Sequence, residues 1–180
     1  MKKRVFISLD DRRGVRALEF LLQKTCLYDK ADFTIVSLGP CSSKMKRTLN
    51  AVVREFDYVI VITDTEGRDP RTVAREIVER HGLTAHHNVK VIPVSPCLES
   101  WPCEALGLKN CGLAPCRAGP TRSISDYWMQ RHGHLYEKRF LPDVFREAFS
   151  AITCGNPSFK GLPSTLREFI ETLYAVLGAP

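Results

Sequence analysis

From Val59 to Ile62 the chain is an unbroken apolar, β-branched run, and directly after it come the acids Asp64, Glu66 and Asp69. A run that short and continuous reads as a strand buried on both faces, which a parallel sheet covered by helices on two sides provides. The acids then stand at the strand's carboxyl end. In open α/β sheets that edge is where ligands bind. Carboxylates two residues apart there can share one hard cation through oxygen. The competing reading is a solvated turn, since Asp, Gly and Pro are ordinary loop residues and Gly67 and Pro70 lie in the same stretch.

The flanking pattern extends the argument. Arg4 to Leu9 and Phe33 to Leu38 read as strands, and Val15, Leu18, Leu21 and Leu22 give helical spacing between them. Ser42 or Ser43 caps a helix with Met45, Leu49, Val52, Val53 and Phe56 on one stripe, and Pro70 opens another that ends at Gly82. Val89 to Val94 is a fourth strand. Pro93 within it removes a ladder donor, so the strand sits at or near an edge or ends early. Strands alternating with helices of this length imply right-handed crossovers and a mainly parallel sheet. The expected fold is therefore α/β, a mainly parallel open sheet of about four strands flanked by helices, with a helical C-terminal extension. Boundaries are expected at residues 1–108 for the α/β core, 109–122 for a Cys/Pro/Gly-rich loop and 123–180 for the extension. In the extension, Thr165 with Glu168 is a candidate capping box, followed by a stripe of Leu166, Phe169, Ile170, Leu173 and Leu177.

A parallel sheet brings every carboxyl end to one edge, so Asp10, Asp11, Asp64, Glu66, Asp69 and Glu99 converge in this reading. Basic residues follow the same strands: Arg12, Arg13 and Arg16, then Lys44, Lys46 and Arg47, then Arg68, Arg71 and Arg75. They oppose the helix dipole there, so an anion-binding edge stands level with the reading of ordinary exposed helix faces. The net charge of +6 and the pI of about 9.0 also suit an anionic partner. No apolar run reaches the length of a membrane span, and Asp10-Asp11 interrupts the first apolar segment before it could serve as a signal core. The expectation is a soluble, cytoplasmic protein with no membrane partner. Seven cysteines in such a setting are reduced thiols by default, with a disulfide or a metal site as alternatives for the close set Cys97, Cys103, Cys111 and Cys116, of which only Cys111 and Cys116 approach the spacing of a zinc ligand pair. His86-His87, His132 and His134 read as loop residues, Trp101 and Trp128 as core anchors.

Asp64-Thr65-Glu66 after a strand, an acid pair near the N-terminus, and Ser95-Pro96-Cys97-Leu98-Glu99-Ser100-Trp101 after a later strand together resemble the Toprim-like families, especially the RloB-type and related proteins of bacteria and archaea. In those families an acid near the N-terminus is a Glu followed by Gly, a later strand is followed by Asp-x-Asp, and a third segment is similar to Asn-Pro-Cys-Phe-Glu-x-Trp. Here the first position is Asp10-Asp11 and the second is Asp64-x-Glu66. The resemblance covers about residues 5–108. It implies Mg²⁺ or Mn²⁺ held by Asp10, Asp64 and Glu66, with Asp11 or Glu99 as a further ligand or general base, and phosphate contacts from Arg12, Arg13 and Arg68. The implied activity is phosphoryl transfer or phosphodiester cleavage on nucleic acid or another phosphate-bearing ligand. Two alternatives stand beside it: a catalytically silent nucleic-acid-binding module of the same fold, and a receiver-like domain in which Asp64 accepts a phosphoryl group. The second lacks the Lys-Pro that should follow a fifth strand.

Overall fold

The computed structural model describes residues 2–40, 42–154 and 161–178. Four strands, β1 (Lys3–Leu9), β2 (Ala31–Ser37), β3 (Tyr58–Asp64) and β4 (Val89–Val94), form one sheet in the order β2-β1-β3-β4, and every pairing is parallel. Helices α1 (Arg12–Lys24), α2 (Ser43–Glu55) and α3 (Pro70–His81) make the crossovers. After β4 the chain is helical: α4 (Ser100–Ala105), α5 (Pro120–His132), α6 (Leu141–Ala148) and α7 (Ser164–Leu177).

The two-residue period of a strand sends alternate side chains to opposite faces, and here both sets are apolar. Val5, Ile7 and Leu9 of β1 and Ile60 and Ile62 of β3 pack with Leu18, Leu21 and Leu22 of α1, Phe145 of α6, and Phe169, Ile170 and Leu173 of α7. On the other face Phe6, Val59 and Val61 meet Met45, Leu49 and Val53 of α2 and Ile77 of α3. Each such fully buried side chain contributes about 1.5–3 kcal/mol. A smaller cluster of Cys103, Cys111, Ile124, Trp128 and Val144 joins α4, α5 and α6. The C-terminal helices thus complete the core of the sheet. No helix among the described residues is long and apolar enough to cross a membrane.

Several local expectations hold in detail. Ser42 Oγ accepts from Met45 N at 3.0 Å, Asp69 caps α3 through Thr72, and Gly82 closes it in the left-handed region at φ 68°. β4 with Pro93 is an edge strand. Two expectations are corrected. Thr165 does not cap α7: that helix starts after Pro163, and the Thr165 hydroxyl instead accepts from Trp101 Nε1 at 2.8 Å. The cysteines are not reduced thiols: Cys26–Cys154, Cys97–Cys116 and Cys103–Cys111 are disulfides, with Cα atoms 5.3, 5.8 and 5.6 Å apart. Cys111 and Cys116 therefore have different partners, and Cys41 lies outside the described residues.

Candidate functional site

In the order β2-β1-β3-β4 the chain leaves β1 toward one side of the sheet and later crosses back to the other. The connections leaving β1 and β3 therefore run to opposite sides of the sheet, which makes this the topological switch point, where open α/β sheets form their ligand crevice. Asp10 follows β1 and Asp64 ends β3, so both stand at this point. Asp10 Oδ2 accepts from Asp64 N at 2.8 Å and from Thr63 Oγ1 at 3.1 Å, while Asp64 Oδ1 accepts from Leu98 N at 2.9 Å. The loop after β4 is fastened to the same place, because Thr65 N donates to Val94 O and Glu66 N to Pro96 O. That places Glu99, which is 2% exposed, beside Asp64.

Three carboxylates drawn from separate strand ends repel one another inside the protein. Burial first, then the charges of Asp10 and Glu99, push Asp64 up to about 8, and the Leu98 N–H offsets only part of this. Burial likewise raises Asp10, against the bonds from Asp64 N and Thr63. The cation that answers them comes from the tail. Lys138 Nζ lies 2.8 Å from Asp11 Oδ2 and 3.4 Å from Glu99 Oε1. Burial alone would lower its pKa, but the two carboxylates outweigh that and hold it above the usual lysine range. The Tyr136 phenol is raised by burial and then by Glu99 and Asp11, and its oxygen is buried with no hydrogen-bond partner among the described residues.

The sequence candidates thus separate into groups. Asp10, Asp11, Asp64 and Glu99 come together at the crevice, with Asp11 also capping α1 by accepting from Arg13 N at 2.7 Å. Glu66 is exposed, at φ 51°, and its Oε2 accepts from Cys116 N at 3.3 Å. Asp69 is occupied as a helix cap. Among the described residues, the three donors that approach within 4.8 Å of one another are Cys97, Glu99 and Cys116, so Asp10, Asp64 and Glu66 are not gathered that tightly. Arg12 and Arg13 line an open cavity of about 630 Å³ with Arg16, Ser37 and Val36. Arg68 pairs with Glu76 at 2.6 Å. His132 pairs with Glu147 at 2.7 Å and packs against Trp128 with the rings tilted.

Lys138 and Tyr136 were missed by sequence reasoning, as was the Cys97–Cys116 pairing beside Glu99. The available signal was weak: a lysine and a tyrosine in the C-terminal extension, with nothing to say which edge they reach. Comparisons with family models, with curated proteins and with solved structures gave no match.

Proposed function

We propose that the crevice between β1 and β3 carries out metal-dependent phosphoryl transfer or phosphodiester cleavage on nucleic acid. The observation that carries this reading is the coupled set Asp10, Asp64 and Glu99 at the topological switch point, with Asp64 raised to about 8. Largely buried carboxylates crowded together in this way are costly to charge, and a divalent cation would relieve that cost. The donor chemistry fits Mg²⁺ or Mn²⁺. Mg²⁺ keeps several of its waters and takes one or two carboxylates directly, so Asp10 and Asp64 suffice without a tighter cage. Bound there, such an ion would polarise a phosphoryl oxygen and lower the pKa of a coordinated water.

The chain's own residues have distinct tasks in this scheme. Glu99 accepts the proton of the attacking water. Lys138 counters the charge of Asp11 and Glu99 and would offset charge developing on phosphoryl oxygens. Arg12 and Arg13 hold phosphates along their groove, and Arg68 joins them by exchanging Glu76 for phosphate. Glu66 steadies the Cys116 loop. The Toprim-like resemblance of residues 5–108 supports the same chemistry.

Lys138 favours a second reading. A lysine beside an acid at the end of β3 supplies the cation that the receiver-like alternative lacked in sequence, with Asp64 as phosphoacceptor.

Incubating the purified chain with DNA and RNA and Mn²⁺ separates the readings. Cleavage that falls by about 100-fold or more in Asp64→Ala is expected for loss of a group acting on the transition state. Salt-sensitive binding without cleavage, unchanged in Asp64→Ala, would leave the silent nucleic-acid-binding module. Covalent labelling of Asp64 by a small phosphoryl donor would establish the receiver-like reading.

A further inference from the structure

Behind the carboxylate crevice is a disulfide that the phosphoryl reading does not use. Cys97 follows β4, Cys116 sits in the loop between α4 and α5, and the two are joined as a disulfide over the carboxylate of Glu99. One donor atom from each of these residues lies within 4.8 Å of the others, and all three residues are buried. Cys116 Sγ is 3.7 Å from Glu99 Oε2. A tetrahedral zinc ion holds its sulfur and oxygen donors about 3.5–3.8 Å apart, so this edge already has the right length. The corner opens on a cavity of about 490 Å³ lined by Cys116, Glu99, Glu66, Thr121, Tyr136 and Lys138. The buried Tyr136 hydroxyl, without a partner among the described residues, marks that space as one suited to a polar ligand.

We propose that reduction of Cys97–Cys116 by a dithiol turns this corner into a Zn²⁺ site, with the two thiolates and the Glu99 carboxylate as ligands and a water from the cavity in the fourth position. In the reduction, the dithiol gives two electrons and two protons. The S–S bond breaks into two cysteine thiols, and the dithiol closes to its own disulfide. Zinc then displaces the two thiol protons to solvent, because the thiolate is the ligand form. Two thiolates and a carboxylate carry −3 against +2 from the ion, and Lys138, shared between Asp11 at 2.8 Å and Glu99 at 3.4 Å, offsets part of the remaining negative charge. While the disulfide stands, neither sulfur is anionic and the site is closed. The inference does not rest on the phosphoryl-transfer reading, although Glu99 belongs to both.

The test uses the full chain, oxidised and after treatment with a non-chelating phosphine, titrated with Zn²⁺ against a colorimetric chelator and with Co²⁺ by absorption. The expected result is one tight zinc per chain only after reduction, with Co²⁺ showing thiolate charge-transfer bands. Cys97→Ser and Cys116→Ser each lower the affinity by about 100-fold or more, and Glu99→Gln by at least about 10-fold. The double variant Cys103→Ser, Cys111→Ser keeps the site, which separates it from the other disulfide in the same region. The proposal is overturned if the reduced chain takes no zinc, if it unfolds on reduction as judged by circular dichroism, or if Cys97→Ser and Cys116→Ser bind zinc as the parent does.

Discussion

Removing the proton from Asp64 costs more in the folded chain than in the unfolded one. An unfolded aspartate titrates near 3.9, whereas burial and the neighbours Asp10 and Glu99 raise Asp64 to about 8. Between those values the native state holds a proton that the unfolded state has lost. Stability is therefore highest below about pH 4 as far as this group is concerned, and falls as pH rises toward 8, by at most about 1.4 kcal/mol per pH unit. Asp10, also raised, adds in the same direction. Denaturant titrations in the presence of a chelator should show this decline from pH 5 to pH 8, and Asp64→Asn should remove most of it. A parent and variant with parallel pH profiles would contradict the account. Asp10 and Asp64 were legible as a pair because each directly follows an apolar strand run, and parallel strands share an edge. Lys138 was not, because its reach depends on how the tail folds back, which neither periodicity nor spacing records.

Among the elements, the strands and crossover helices followed from apolar period and capping residues, and a Cys/Pro/Gly-rich loop was expected between α4 and α5, but its closed form was not. Its form depends on backbone approach. A Cβ on Gly119 would lie 2.8 Å from Asn110 O and closer still to Leu113 O, and carbonyls held in a closed loop cannot yield as a side-chain tip can. Gly112 in the same loop has open space around it. Gly119→Ala should destabilise by about 2 kcal/mol or more and Gly112→Ala by no more than about 0.5 kcal/mol, as measured by thermal or denaturant unfolding. Equal effects at the two glycines would show that the loop is not packed as described. The start of α7 shows why a capping signature can mislead. Thr165 and Glu168 have the right spacing, but the Trp101 indole takes the Thr165 hydroxyl and Lys90 takes Glu168 at 2.6 Å. Tertiary partners outrank the local motif.

At the scale of the whole molecule, the tail belongs to the core. Phe145, Phe149 and Phe169 are all at most 2% exposed against the same sheet face that α1 covers. The resemblance over residues 5–108 could not have shown this, since the apolar stripe of α7 says that a partner exists and not which one. Cys26–Cys154 ties the tail back to the end of α1 across a sequence separation of 128. Closing so long a loop restricts the unfolded chain, and the double variant Cys26→Ser, Cys154→Ser should lose about 2–5 kcal/mol of unfolding free energy. An unchanged denaturation midpoint, with the parent shown to be oxidised, would place the stabilisation elsewhere. Six cysteines paired in this way were out of reach of the sequence, because spacing alone does not select among the many pairings seven cysteines allow.

The central claim is that carboxylates from separate strand ends form one cation-binding centre. Calorimetric titration of Mg²⁺ and of Mn²⁺ into the oxidised chain at pH 8, and into its Asp64→Asn variant, tests it most directly. The account predicts saturable binding of one ion with proton release in the parent, and binding weakened by about 10-fold or more in the variant. No heat of binding in the parent, or the same affinity in both chains, would contradict it.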